Sequence, residues 1–254
     1  MSAKRGLFVA PFDELAGPAT LAELAQRAER TGWDGFFLWD HVNYRPPVSA
    51  VADAWIALAA IAAATERLRI GPMVTPLSRR RVQKVARETV TLDRLSAGRL
   101  TFGVGLGSDR NGELEPFGEV TDPRQRAELV DNGLDRLASF WAGEFEPRPL
   151  QSPRIPVWVA GRWKTRRRPL ERAARWDGFF PIEVPDPAAL TRLAEEIAEL
   201  RGGAGGDFDL VAEIAPGDAA GAWEAAGATW IFVDFESQPR LREVEAVIDA
   251  GPGD

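Results

Sequence analysis

Two adjacent residues with chemical potential stand at the end of the run Phe36-Phe37-Leu38-Trp39-Asp40-His41. An imidazole changes charge near neutral pH, and an acid beside it can orient it or share its proton. A lone histidine is commonly a loop residue satisfied by backbone. Here its place directly after a strand-like run favours a catalytic part for both His41 and Asp40. A second group is Ala160-Gly161-Arg162-Trp163-Lys164-Thr165-Arg166-Arg167-Arg168-Pro169, where cations, a hydroxyl and a helix start fall together. A charge run is ordinarily a solvated face. Backbone N–H groups at a helix start, joined by cationic side chains, also suit a phosphate dianion. The third group is Gly103-Val104-Gly105-Leu106-Gly107. It is not a dinucleotide fingerprint, because its third glycine comes one residue early and no helix opens there. Tight packing and the close approach of a flat ring both account for it, with Gly105 and Gly107 nearest the ring in the second case.

Composition removes several other chemistries. The 254 residues include no cysteine and one histidine, so thiol nucleophiles, iron–sulfur clusters, thiolate zinc and multi-histidine metal sites are excluded; no metal is expected. A barrel hydrolase built on an Asp-His pair lacks a metal set and a Gly-x-Ser-x-Gly nucleophile. The net charge of −7 argues against nucleic acid as a partner. The longest apolar stretch, 54–64, is too short to span a membrane. The N-terminus runs straight into a strand-like segment without a signal-peptide core. The expectation is a cytoplasmic protein acting on a small-molecule substrate.

The elements that must position these residues follow a regular rhythm. Short β-branched or aromatic runs at 6–11, 35–40, 69–75, 100–105, 157–161, 178–182, 210–214 and 229–234 read as eight strands. Helix-period segments separate them, at 19–30, 54–65, 82–95, 124–141, 169–175, 188–200, 219–226 and 240–249. Leu21, Leu24, Ala25 and Ala28 make one apolar stripe, and Leu129, Leu134, Leu137 and Trp141 give another. Strict alternation predicts a (β/α)8 TIM barrel forming one compact domain over 1–254, with an open doubly wound sheet as the competing arrangement. In a barrel the chemistry sits at the C-terminal strand ends, where all three groups fall. The segment 108–122 is the longest strand-to-helix loop, and 202–206 reads as a flexible connection.

Several stretches resemble the bacterial-luciferase-like family of FMN- and F420-dependent enzymes. They are Trp39-Asp40-His41; the run from Thr65 through Gly71-Pro72-Met73-Val74-Thr75-Pro76-Leu77; the string Leu92-Asp93-Arg94-Leu95-Ser96-Ala97-Gly98-Arg99, continuing to Gly107; and Arg172 to Pro181. The likeness is clearest over about 5–183. It implies a (β/α)8 barrel with F420 or FMN across the strand ends, and a non-prolyl cis peptide near Met73–Val74. It also implies cofactor contacts from Met73, Val74, Thr75, Gly105, Gly107, Ala160, Gly161, Arg162 and Thr165. The function implied is an oxidoreductase or monooxygenase carrying out hydride transfer or oxygen activation; the alternative is a flavin-binding protein without turnover. The arginines at 162 and 166–168 favour F420, whose long acidic tail a basic rim would welcome. Family members are often homodimers, and the apolar helix 54–64 is a candidate interface. The acid that some F420-dependent members carry after the fourth strand has no clean counterpart, since Glu113 and Glu115 come late. Phe12, Trp39, Trp163 and Phe180 are the expected aromatic lining of a pocket left open by the lack of a long capping insertion.

Overall fold

The computed structural model describes residues 2–165, 167–202 and 207–253. The candidate residue Arg166 and most of the glycine-rich connection 202–206 lie outside them. Nine parallel strands follow one another around a cylinder: β1 (Lys4–Val9), β2 (Gly35–Leu38), β3 (Arg69–Pro72), β4 (Thr75–Pro76), β5 (Phe102–Gly105), β6 (Val157–Arg162), β7 (Gly178–Ile182), β8 (Asp209–Ile214) and β9 (Trp230–Asp234). The helices between them are α1 (Pro18–Thr31), α2 (Ala54–Ala64), α3 (Val82–Leu95), α4 (Pro123–Ser139), α5 (Arg167–Ala173), α6 (Pro187–Leu200), α7 (Gly221–Ala225) and α8 (Leu241–Ala250).

The count exceeds the expected eight because the third strand is interrupted. The Met73–Val74 peptide is cis and separates β3 from β4. β1 pairs with both β2 and β9, and the cylinder closes where Ile70 bridges Leu100 and the Thr101 N–H donates to the Ile70 carbonyl at 2.8 Å. Closure rules out the open doubly wound sheet.

Helix starts follow local chemistry. Asp53, Asp122 and Asp186 each accept backbone N–H bonds at the N-termini of α2, α4 and α6, and prolines occupy the first position of α1, α4 and α6. Outward strand residues such as Leu7, Val9, Phe36 and Leu38 pack beneath the helices. Inward residues form a separate core of Phe8, Phe37, Trp158, Phe180, Trp230 and Phe232 with smaller neighbours. Phe37 and Phe232 stack with ring centroids 4.5 Å apart. Inward glycines admit these rings: a Cβ on Gly178 would lie 2.4 Å from Trp158, and one on Gly35 would lie 2.5 Å from Phe37. The lumen is therefore filled, and the free space for chemistry is at the strand ends.

The string from Asp93 to Arg99 is scaffold at the opposite end. Asp93 is fully buried and accepts from the Leu150 N–H at 2.6 Å and the Gln151 side chain at 2.7 Å, tying down the long connection before β6. Arg99 donates to the carbonyls of Ala62, Thr65 and Leu68 and so satisfies the C-terminal end of α2.

Candidate active site

Alternation along β2 decides which residues reach the rim. Phe37 points into the barrel, Leu38 out, Trp39 in and Asp40 out, because successive side chains of an extended chain face opposite ways. Trp39 packs on the inner core, with its ring 5.5 Å from Phe8 and 5.8 Å from His41. Asp40 is 4% exposed and lies behind the strand. There its carboxylate accepts from the Thr75 hydroxyl at 2.9 Å, the Trp55 indole N–H at 3.1 Å and the Arg80 guanidinium at 2.8 Å. Asp40 and His41, adjacent in sequence, therefore do not form a pair.

The acid that meets His41 comes from elsewhere. His41 Nδ1 lies 2.9 Å from Glu113 Oε2, and the Val42 N–H donates to Glu113 Oε1 at 3.0 Å. Glu113 is 4% exposed, although it sits in a loop. Its position follows from the turn before it, where Asp109 accepts from the Leu114 N–H at 2.7 Å, and from Leu114, which is buried. Asn43 clips the same loop by donating to the Asn111 carbonyl at 2.9 Å. The segment after β5 thus folds over the exit of β2 and covers one side of the mouth. A buried leucine between two glutamates was the signal in the sequence, but nothing there said which strand end the loop would meet.

Around His41 stand Phe12, Trp39 and Tyr44, at ring distances of 5.8, 5.8 and 5.1 Å. Phe12 and Phe180 are nearly fully buried and form wall and floor rather than open lining. Trp163 packs toward the helix layer, with the Arg192 guanidinium 5.6 Å from its ring.

The inner rim opposite is made of small groups. Val74 and Ala160 belong to the inner core, and a Cβ on Gly105 would come within 2.9 Å of Val74 and 3.9 Å of Ala160. These residues leave a low surface that suits a flat ring; larger side chains would fill it. Met73 is buried below. Thr75 is fully buried, and its hydroxyl is committed to Asp40. Gly107, with φ +72°, turns against Pro76, and its carbonyl accepts from Arg126 at 2.6 Å, so its backbone serves the loop. Gly161 points outward: a Cβ there would lie 2.4 Å from Pro169, so the glycine lets the first turn of α5 sit against β6. Arg162 faces inward and pairs with Glu183. Lys164, Thr165, Arg167 and Arg168 are exposed around the start of α5. The basic segment therefore flanks the small-residue floor, as a phosphate attached to a ring would require.

Across the mouth, a recess of about 260 Å³ is lined by Glu213, Asp234, Asp218 and Trp223. Removal from water, reinforced by the neighbouring Asp234 charge, pushes the Glu213 carboxyl up to about 8. Desolvation raises Asp234 to about 6. Burial and the Asp234 charge both favour the protonated carboxyl of Glu213. Among the described residues, no cluster of side chains is suited to a metal ion, and no helix is long and apolar enough to cross a membrane.

The fold and site together are those of a closed parallel barrel with a His–Glu contact and a small-residue floor at its C-terminal rim. The chain belongs to the luciferase-like monooxygenase family, whose profile matches residues 7–247. It is 28% identical over 229 residues to the phthiodiolone/phenolphthiodiolone dimycocerosates ketoreductase of Mycobacterium tuberculosis, covering 75% of this chain and 58% of that protein. It is 31% identical over 194 residues to the F420-dependent glucose-6-phosphate dehydrogenase of Nakamurella multipartita, covering 70% of this chain and 56% of that protein. The chain thus matches somewhat over half the length of these relatives. In fold it is similar to the coenzyme F420-dependent tetrahydromethanopterin reductase of Methanopyrus kandleri, with a TM-score of 0.74, 16% identity and coverage of 99% and 98% of the two chains. In fold it is also similar to the oxygenating constituent of 3,6-diketocamphane monooxygenase of Pseudomonas putida, solved in complex with FMN, with a TM-score of 0.67, 16% identity and coverage of 84% and 67% of the two chains.

Proposed function

We propose that this protein is an oxidoreductase of the luciferase-like class that uses F420, with FMN as the second choice, on a small organic substrate. The observation that carries the reading is the juxtaposition, on one rim, of His41 held by Glu113 with a floor of Val74, Gly105 and Ala160 flanked by the basic start of α5. When bound, the cofactor supplies hydride transfer (F420) or oxygen activation (reduced FMN). The protein's part is orientation and proton movement. The floor takes the ring, while Arg162 and Thr165 hold the phosphate. His41 Nε2 makes no hydrogen bond to a described residue and is the atom available to give or take a proton at the substrate. Asp40 acts as a positioning residue, fastening the end of β2 to Thr75 and to Arg80. Exposed cations at 164, 167 and 168 favour the cofactor with the acidic tail.

Parallel titration with F420 and FMN, followed by absorbance and tryptophan fluorescence, tests this reading. Tighter binding of F420, with a spectral change on adding a substrate, is expected. Binding without any spectral turnover across a panel of alcohols, ketones and aldehydes would leave a silent flavin-binding protein; binding of neither cofactor would remove the proposal.

A further inference from the structure

A buried cation stands behind the His41–Glu113 contact. Arg79 follows β4, and its side chain is 7% exposed. Its terminal nitrogen lies 3.4 Å from Glu113 Oε1, 3.4 Å from the Asp40 carbonyl and 4.0 Å from the Asp40 carboxylate. Burial depresses the Arg79 pKa, while the Asp40 and Glu113 charges oppose that shift. One guanidinium therefore joins the loop after β4, the end of β2 and the loop after β5.

We infer that Arg79 is a positioning residue that holds Glu113 as an acceptor against His41 and thereby fixes the neutral imidazole with its proton on Nδ1. A carboxylate accepts hydrogen bonds and donates none. With the Val42 N–H and Arg79 on Oε1, Glu113 offers Oε2 to Nδ1 at 2.9 Å. The ring nitrogen facing it must then be the donor, which leaves the Nε2 lone pair free. The usual preference of an unconstrained imidazole is the reverse, with the proton on Nε2. Among the described residues, Glu113 and Tyr44 face the ring directly, and behind Glu113 stand Arg79 and the Asp40–Arg80 pair. The inference rests on the proposed role of His41 as the proton-transfer residue. It is read without cofactor or substrate, so it can fail while that role stands, and the reverse.

Because the chain has one histidine, protein labelled with ¹⁵N-histidine gives a single pair of ring-nitrogen resonances. At a pH where the ring is neutral, the intact chain is expected to show a protonated, pyrrole-type Nδ1 and a pyridine-type Nε2. In Arg79→Met the tautomer ratio is expected to move at least several-fold toward Nε2–H. Arg79→Lys, which keeps the charge without the fork, should restore part of the wild-type ratio. A wild-type protein carrying its proton on Nε2 overturns the inference, and that measurement needs no variant to fold. A folded Arg79→Met protein with an unchanged ratio also overturns it.

Discussion

At the scale of single residues, the proposed role of His41 and the raised pKa of Glu213 can be checked directly. His41→Ala removes the free imidazole but leaves the ring floor and the basic segment in place. Turnover should fall by about 10²–10⁴-fold with the cofactor dissociation constant little changed, as steady-state kinetics beside a binding titration would reveal. Loss of cofactor binding in this variant would instead assign His41 to the cradle. Glu213 has a folded-state pKa raised from its ordinary 4.5 to about 8, so the native state holds a proton that the unfolded chain has released. Its stabilising effect is complete below about pH 4.5 and is lost as the pH rises toward 8. Glu213→Gln keeps the shape and removes the titration. Its melting temperature should therefore decline less than that of the wild type between pH 5 and 8, and identical slopes would refute the assignment.

At the scale of elements, two segments with no strand of their own shape the two ends of the barrel, one at the site and one opposite it. The loop after β5 delivers Glu113 to the end of β2, and the connection before β6 is anchored on Asp93. Asp93→Ala removes the buried carboxylate that accepts from the Leu150 N–H and the Gln151 side chain, at a cost of about 2–4 kcal/mol for the lost charge-assisted bonds. Thermal unfolding should show a lower melting temperature with little change in the cofactor affinity of the folded fraction. A large loss of affinity at normal stability would contradict the scaffold role. The string from Leu92 to Arg99, among the most telling in the sequence, thus identifies the family through its architecture rather than its chemistry.

At the scale of the whole molecule, aromatic side chains fill the lumen and leave the proposed site to the rim, beside the basic start of α5. Arg162 faces this mouth and pairs with Glu183. Arg162→Ala should weaken F420 or FMN binding by about 1.5–3 kcal/mol, roughly a factor of 10 to 150, if it contacts the phosphate. The loss should shrink for the cofactor analogue lacking the phosphate. An equal loss for both ligands would move Arg162 away from that role.

The alternation of strands and helices, the closure it implies and the location of a site at the strand ends were legible from periodicity, because burial imposes a repeat of two on strands and near 3.6 on helices. The cis Met73–Val74 peptide was implied by family resemblance and is present. The break it makes in the third strand has no local signature. Which residues face one another across the mouth belongs to the tertiary structure alone. Asp40 and His41 are neighbours in the chain, yet the pleat sends the acid behind β2, while Glu113, 72 positions away, reaches the ring. A side chain's direction is set by the parity of its position along a strand, and its partner by how a loop closes; neither is written in the type of residue.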